Sequence, residues 1–286
     1  ELRECGHEGT ARAYASSLRS MQRYLGKKDF PFIKLSSRII SDYQGKLLAS
    51  GICDNTIGFY LHNIKALFRK GCREMGLELP CPFRDISIKT EKTLKRSLDP
   101  VVIKTLSAIE LEKDSPLSLA RDIFMFSFYT RGMSFVDIAL LKKRHVFPGE
   151  ICYRRHKTDQ LMRVGINKEI SRILERYKNV PGEYIFPLFP AERDPYAGYR
   201  SAYHRIRYSL GKISRVIGLE FPLRLHAARH SWATIAKVNG ASVHVIGECL
   251  GHTSEKTTRI YLKELDHSAL DAVNNQVADF ILAVDD

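Results

Sequence analysis

The chain has 286 residues, which is long enough for two domains or one large domain. Its apolar fraction of 44% is ordinary for a folded core, and no run approaches the roughly 18 uninterrupted apolar residues of a membrane span. The formal net charge of +13 favours a polyanionic partner, and no charged-then-apolar segment predicts a secretory signal.

The positive charge is denser in the first third of the chain. Residues 1–97 carry 18 Lys and Arg against 10 Asp and Glu, whereas residues 98–286 carry 27 against 22. This distribution favours a nucleic-acid backbone as partner, with a merely soluble basic surface as the alternative. The six cysteines lack Cys-x-x-Cys spacing, which predicts reduced thiols in a cytoplasmic protein. Because the first segment after Glu1 already has the pattern of a folded element, we expect this chain to be a fragment of a longer protein.

Three helices are predicted in the first 85 residues. The first follows a possible cap at Thr10, the second ends at Gly51, and the third begins at Asn55 and ends near Gly71 or Gly76. Their apolar stripes are Tyr14, Leu18, Met21 and Leu25; Ile39, Ile40, Tyr43, Leu47 and Leu48; and Ile57, Tyr60, Leu61, Ile64, Leu67 and Phe68. Prolines at 80 and 82 close this module, and the basic, aperiodic run after it predicts a linker over residues 86–98.

The second domain is predicted over residues 99–286. Asp99 and Pro100 form a cap followed by proline at the first helical position. An apolar helix is predicted around 117–129, followed by a hairpin with strands at 150–156 and 161–166 and a turn at 157–160. Further helices are predicted at 168–178, 200–217, 226–238 and 242–250, and a tail helix carries Leu270, Val273, Val277, Phe280, Ile281 and Val284. The predicted fold class is mainly α with a small antiparallel β-sheet.

The last quarter of the chain carries a phosphate-directed set of side chains. His226 and Arg229 lie three residues apart, so they share one face of a helix. Leu250-Gly251-His252 follows, and Tyr261 stands nine residues beyond His252. An arginine forms forked, charge-assisted hydrogen bonds to phosphate better than a lysine does. Two histidines and a phenol complete a set suited to phosphate-ester chemistry.

These motifs, in this order and spacing, resemble the tyrosine recombinase (phage integrase) family. The segment Arg131-Gly132-Met133-Ser134-Phe135-Val136-Asp137 resembles in particular the integrases of conjugative transposons and related mobile elements. The resemblance implies a helical core-binding (SAM-like) domain over residues 1–85, a basic linker over 86–98, and a tyrosine recombinase catalytic domain over 99–286 with a C-terminal tail helix. It also implies a site-specific recombinase that cleaves and rejoins duplex DNA through a 3′-phosphotyrosyl intermediate during integration, excision or inversion.

The resemblance assigns a role to each candidate residue. Tyr261 is the expected nucleophile, and Arg229 is expected to bind the scissile phosphate. His226 helps to move the attacking proton or contacts the phosphate, and His252 donates to a phosphate oxygen. Lys157, in the predicted hairpin turn, is expected to protonate the departing 5′ oxygen.

The segment from Tyr129 to Asp137 departs from the family pattern. The family's first catalytic arginine aligns with Ser134, while Arg131 stands three residues earlier. We expect Arg131 to deliver the guanidinium from this neighbouring position; alternatively it binds only flanking phosphate, and the site then uses one arginine. Asp137 is expected to support the site without taking part in the chemistry.

The resemblance implies no cofactor and no metal. The expected partners are double-stranded DNA recombination sites, with a homotetramer on DNA, a monomer allowed without DNA, and no membrane. The tail helix docks either on a neighbouring subunit or on its own domain. The alternative from another class is a catalytically silent DNA-binding protein of the same fold. An invertase and a type IB topoisomerase are the alternatives with related chemistry.

Overall fold

The computed structural model describes residues 8–27, 29–89, 96–189, 195–252 and 254–262, together with residues 2 and 91. The chain divides into two compact units, residues 1–93 and residues 94–286. Within the described ranges, no helix is both long enough and apolar enough to cross a membrane.

In its described part, the first unit is built from three helices: α1 (Glu8–Leu25), α2 (Ser37–Ala49) and α3 (Asp54–Glu74). A short 3₁₀ turn, Phe32–Lys34, lies between α1 and α2. Ile40, Tyr43 and Leu61 are completely buried where the helices meet, and the Tyr43 hydroxyl donates to Ser20 Oγ at 2.8 Å. The buried phenol thus keeps a hydrogen-bond partner inside an otherwise apolar core.

The helix ends in this unit differ slightly from the sequence-based expectation. Helix α1 already begins at Glu8, so Thr10 lies inside the helix and is not its cap. Helix α3 begins at Asp54, one residue before the expected Asn55. Helix α2 ends at Ala49, and Gly51 adopts a φ of +74°, the left-handed conformation that glycine tolerates best.

The second unit contains eight helices and three strands in its described part. The helices are α4 (Pro100–Ala108), α5 (Pro116–Tyr129), α6 (Phe135–Ala139), α7 (Lys168–Arg176), α8 (Pro195–Val216), α9 (Leu225–Val238), α10 (Val243–Leu250) and α11 (Glu255–Tyr261). The strands are β1 (Val146–Phe147), β2 (Glu150–Arg154) and β3 (Leu161–Gly165). Helix α5 packs against α7, α8 and α9, with Ile123, Phe124 and Phe126 completely buried.

The sheet is antiparallel in the order β1-β2-β3, with Cys152 opposite Arg163. The mainly helical fold class with a small antiparallel sheet is therefore confirmed. The helix cap expected at Asp99 is also found. The Asp99 side chain accepts from the Val101 N–H at 2.8 Å, and Pro100 is the first residue of helix α4. The hairpin strands end earlier than expected, at Arg154 and Gly165, so Arg155 and His156 belong to the connecting turn.

The proposed domain limits at residues 85 and 98 remain predictions. Ile86 and Ile88 pack on the core of the first unit, and Gln44 Nε2 donates to the Ser87 carbonyl at 2.9 Å. The predicted tail helix falls on residues 263–286, outside the part of the chain that the structure describes.

Candidate active site

Arg229 is the most buried charged residue of the candidate site, with 4% of its surface exposed. It lies in the second turn of α9, and its guanidinium reaches two other segments. Nη1 donates to the Gly132 carbonyl at 2.8 Å, and Nη2 donates to the Leu250 carbonyl. These two carbonyls fix the orientation of the guanidinium.

The segment after α5 approaches Arg229 unusually closely. Arg131 and Gly132 adopt left-handed φ values of +59° and +75°. A Cβ on Gly132 would lie 2.5 Å from Arg229 Cγ, so only glycine fits at this position. The double left-handed turn brings the Gly132 carbonyl to the guanidinium. Because of this turn, Arg131 lies outside helix α6, which begins only at Phe135.

His252 follows helix α10 directly and contacts Arg229. Gly251 ends the helix with φ +63°, and the His252 ring then lies with Nε2 3.0 Å from Arg229 Nη2. The other ring nitrogen, Nδ1, is 3.0 Å from Thr258 Oγ1. Burial, and then the charges of Arg229, Arg155 and Lys157, lower the pKa of His252 to about 4, so the ring is neutral at pH 7.

The β2–β3 turn contributes two cations to the same place. The Arg155 guanidinium donates to the Gly251 carbonyl, next to His252. Lys157 is exposed in the turn, and its charge also lowers the pKa of His252, which places the ammonium within electrostatic range of the ring. The turn therefore presents a buttressed arginine and an exposed lysine beside the Arg229–His252 pair.

Asp137 holds this turn against helix α6. The residue is buried, its Oδ1 accepts from the His156 N–H at 2.8 Å, and its Oδ2 accepts from the Ser134 hydroxyl at 2.6 Å. Ser134 also caps α6 through the Asp137 N–H. The residue aligned with the family arginine thus serves as a helix cap and as a donor to Asp137.

Arg131 lies nearer the edge of the site. Its Nη1 is 3.4 Å from the Arg163 carbonyl on strand β3. The buried phenol of Tyr153 has a raised pKa because of burial and the Asp137 carboxylate, while the charges of Arg155, Arg229 and Arg131 oppose the rise. The three guanidinium groups are therefore all within electrostatic range of one phenol.

The other two candidate residues lie on α9 and α11. His226 is exposed on the first turn of α9, and its ring meets the His230 ring edge-on at 4.8 Å between centroids. Tyr261 is the last residue of α11, and its side chain lies outside the described part of the chain. Helix α11 is attached to the site through Thr258, which is completely buried.

The structure thus brings Arg229, His252 and Lys157 together, with Arg131 at the margin and His226 on the neighbouring helix turn. Sequence reasoning missed Arg155 and Thr258. The signal for Arg155 was a second basic residue two positions before Lys157, which the longer predicted strand assigned to the sheet. The signal for Thr258 was its position three residues before Tyr261, one turn away on the same helix. Among the described residues, no group of three His, Cys, Asp or Glu side chains could hold a metal ion.

Comparison with known proteins agrees with these motifs. Residues 97–267 match the phage integrase family, and residues 1–83 match the phage integrase SAM-like domain. The tyrosine recombinase XerC of Shewanella oneidensis is 26% identical over 226 residues, which cover 76% of this chain and 70% of that protein.

Two solved structures share the fold. A lambda integrase dimer bound to a COC′ core site has a TM-score of 0.65 at 18% identity, covering 88% of this chain and 89% of that one. The Tn1549 transposon integrase in complex with a circular intermediate DNA has a TM-score of 0.63 at 16% identity, covering 93% and 99%. With the family match extending over most of the second unit and the SAM-like match over the first, the chain belongs to the phage integrase family of tyrosine recombinases.

Proposed function

We propose that this protein is a site-specific recombinase that cleaves and rejoins duplex DNA through a 3′-phosphotyrosyl intermediate. The observation that carries the proposal is the contact between Arg229 and His252, flanked by Arg155 and Lys157, at the point where helix α11 leads to Tyr261. This arrangement brings cations and a neutral imidazole close together, and such groups stabilise the charge that develops on a phosphodiester under attack.

In the proposed step, the Tyr261 oxygen attacks phosphorus and the bond from phosphorus to the 5′ oxygen breaks. His226 takes the phenolic proton, and Lys157 gives a proton to the departing 5′ oxygen. Arg229 and Arg155 bind the non-bridging oxygens, and Arg131 contacts the same strand from the edge of the site. The phosphate stays on Tyr261 as an ester, so attack by a 5′ hydroxyl reverses the step without ATP.

A basic groove of about 460 Å³ along helix α8 is a further surface for DNA in this proposal. Its lining includes Arg207, Lys212, Arg215 and Arg224. Four cations along one groove attract a phosphate backbone independently of base sequence. We propose that the groove holds duplex DNA while the Arg229 site acts on one phosphate.

We also propose that four copies act together. Exchange between two duplexes requires four strand cleavages, and each chain supplies one Tyr261. The similar lambda integrase forms a dimer on one core site, and two such sites bring four protomers together. The reaction serves integration, excision or inversion of DNA, in the cytoplasm.

Covalent capture tests the proposed reaction and identifies the DNA site in the same experiment. The protein is incubated with duplexes that have a randomised central sequence and a nick near the cleavage position, so that the short cleaved strand diffuses away. We expect an adduct that resists sodium dodecyl sulfate and yields a common sequence on recovery. Tyr261→Phe should form none, whereas Tyr129→Phe, which removes a phenol from helix α5, should match the wild type.

The alternative, a catalytically silent DNA-binding protein, is favoured by one observation: Ser134, and not an arginine, stands at the family position and donates to Asp137. The same experiment separates the two functions. Retention of duplexes without any covalent adduct from the wild type would establish the silent binder and reject the recombinase.

A further inference from the structure

The hydroxyl of Thr258 is enclosed between two helices and the His252 ring. Thr258 is completely buried on α11, and its Oγ1 lies 3.0 Å from His252 Nδ1. On the other side, a Cβ on Gly247 of α10 would lie 2.9 Å from the same oxygen. The close approach of α10 keeps the hydroxyl against the ring.

The contacts of His252 define which nitrogen carries the hydrogen. Nε2 is 3.0 Å from Arg229 Nη2, and a guanidinium can only donate hydrogen bonds. Nε2 must therefore accept, so the hydrogen of the neutral ring lies on Nδ1 and is donated to Thr258 Oγ1. The ring is neutral because burial and the three nearby cations lower the pKa of His252 to about 4.

A bound phosphodiester reverses this requirement. Its non-bridging oxygens are acceptors only, so a ring nitrogen that contacts them must donate. Once the phosphate replaces Arg229 Nη2 as the partner of Nε2, this nitrogen needs a hydrogen and Nδ1 becomes an acceptor. The ring loses a proton from Nδ1 to water and gains one from water at Nε2, so its charge is unchanged. A hydroxyl both accepts and donates, and is therefore able to pair with either tautomer.

We propose that Thr258 is a positioning residue that sets the tautomer of His252: its hydroxyl accepts from Nδ1 in the DNA-free protein and donates to Nδ1 when Nε2 contacts the scissile phosphate. The bond also attaches the helix that ends at Tyr261 to the phosphate-binding pair. This inference rests on the proposed recombinase function, whereas the tautomer of the free protein does not depend on it.

The first measurement is nuclear magnetic resonance of the free wild-type protein with ¹⁵N-labelled histidine. Two-bond nitrogen–proton correlations distinguish the tautomers, and His252→Gln identifies the signal. We expect hydrogen on Nδ1; hydrogen on Nε2 would overturn the inference. With Tyr261→Phe bound to the duplex recovered by covalent capture, we expect hydrogen on Nε2, and an unchanged tautomer would contradict the switch.

The second measurement compares variants of equal shape. Thr258→Val keeps the buried volume and removes the hydroxyl, and should slow adduct formation about 10- to 100-fold, the effect of leaving a buried polar group without a partner, with duplex affinity within about twofold. Thr258→Ser should stay within about threefold of the wild type. The matched control is Thr257→Val, at the exposed neighbouring threonine, which should change neither quantity.

The outcomes separate the two proposals. Adduct formation by Thr258→Val at the wild-type rate, or an equal loss in Thr258→Ser, rejects the role of the hydroxyl while leaving the recombinase intact. Absence of adduct from the wild type rejects the recombinase. The tautomer of His252 in the free protein is still determined by nuclear magnetic resonance. The tautomer measurement does not use Thr258→Val, so unfolding of this variant would not prevent a decision.

Discussion

Arg155 comes to lie beside His252 only in the folded chain. Its guanidinium is held by the Gly251 carbonyl beside His252, whereas Arg131 contacts the Arg163 carbonyl at the margin. In sequence, Arg131 is the closer candidate for the missing family arginine, because it lies three residues from Ser134. Distance along the chain is a poor guide here, because the β2–β3 turn folds back onto the end of α10.

Replacing each arginine measures this difference. Arg155→Ala should slow adduct formation roughly 100-fold or more, the cost typical of removing a preorganised donor from developing charge. Arg131→Ala should stay within about tenfold, since a partly exposed contact contributes little. Arg155→Lys should recover only part of the rate because lysine lacks the fork. A larger loss of rate for Arg131→Ala than for Arg155→Ala would show that Arg131, and not Arg155, is the second arginine that acts on the phosphate.

Gly132 limits what the site tolerates at its backbone. Gly132→Ala should lower the free energy of unfolding by about 2 kcal/mol or more, because the new Cβ meets Arg229 and the φ of +75° is unfavourable for alanine. Urea denaturation measures the loss. Gly149→Ala is the matched control: it has a φ of +84° but open space around the Cβ position. Equal losses in the two variants would mean that the contact with Arg229 adds nothing to the loss of unfolding free energy.

His252 makes the stability of the fold depend on pH. Its pKa is about 4 in the folded protein and ordinary, near 6.5, in the unfolded chain. Between these values only the unfolded chain takes up the proton, so the wild type should lose stability as the pH falls from about 6.5 towards about 4. His252→Gln keeps an acceptor for Arg229 and does not titrate. The stability of the wild type minus that of the variant should therefore decrease over this range in urea melts; a constant difference would contradict the lowered pKa.

Among the secondary-structure elements, helix α4 shows best what a cap makes predictable from sequence. Asp99 with Pro100 marks the start of α4 because a carboxylate can accept the first free N–H groups and proline needs no donor there. The hairpin was predicted, but its turn was expected to begin at Lys157, whereas strand β2 already ends at Arg154. Alternation continues to His156, whereas hydrogen bonds from the Thr158 and Asp159 N–H groups to the Arg155 carbonyl close the turn. That closure depends on Asp159 with φ +53°, a left-handed conformation that alternation does not reveal.

The link between α6 and the β2–β3 turn rests on Asp137. Asp137→Asn keeps an acceptor for the His156 N–H, and the Ser134 hydroxyl can reverse to accept from the amide, so stability and adduct formation should change little. Asp137→Ala removes the acceptor for the His156 N–H and for the Ser134 hydroxyl hydrogen, which should cost about 1–3 kcal/mol of unfolding free energy and slow cleavage. Thermal unfolding and covalent capture measure the two effects. Identical behaviour of the Asn and Ala variants would show that the acceptor is irrelevant.

On the scale of the whole molecule, both units carry a net positive charge, and counting the charged residues along the sequence predicts this. What composition could not provide is the gathering of Arg207, Lys212, Arg215 and Arg224 in one groove on α8, since Arg224 lies beyond the end of that helix. Helical spacing predicts neighbours within a helix, whereas the chain must fold back to add the fourth cation.

Salt dependence tests whether the groove binds DNA. Affinity for duplex DNA should fall steeply with salt, and Arg207→Ala or Arg215→Ala should each reduce the slope of log affinity against log salt concentration by about one. Filter binding at several salt concentrations gives the slopes. Lys104→Ala, an exposed lysine on α4, should leave the slope unchanged. An unaltered slope in both groove variants would exclude this groove from the DNA interface.

Helix α11 packs against α10 of its own chain, and this packing bears on whether one subunit supplies every residue of an active site. Gly247 admits the Thr258 hydroxyl, and the same hydroxyl pairs with the His252 of that subunit. Helix α11 is thus packed beside the His252 of its own polypeptide. In the proposed reaction we therefore expect each protomer to cut in cis. A mixture of one subunit lacking Arg229 with another lacking Tyr261 should then form no covalent adduct, and adduct formation by this mixture would contradict cleavage in cis.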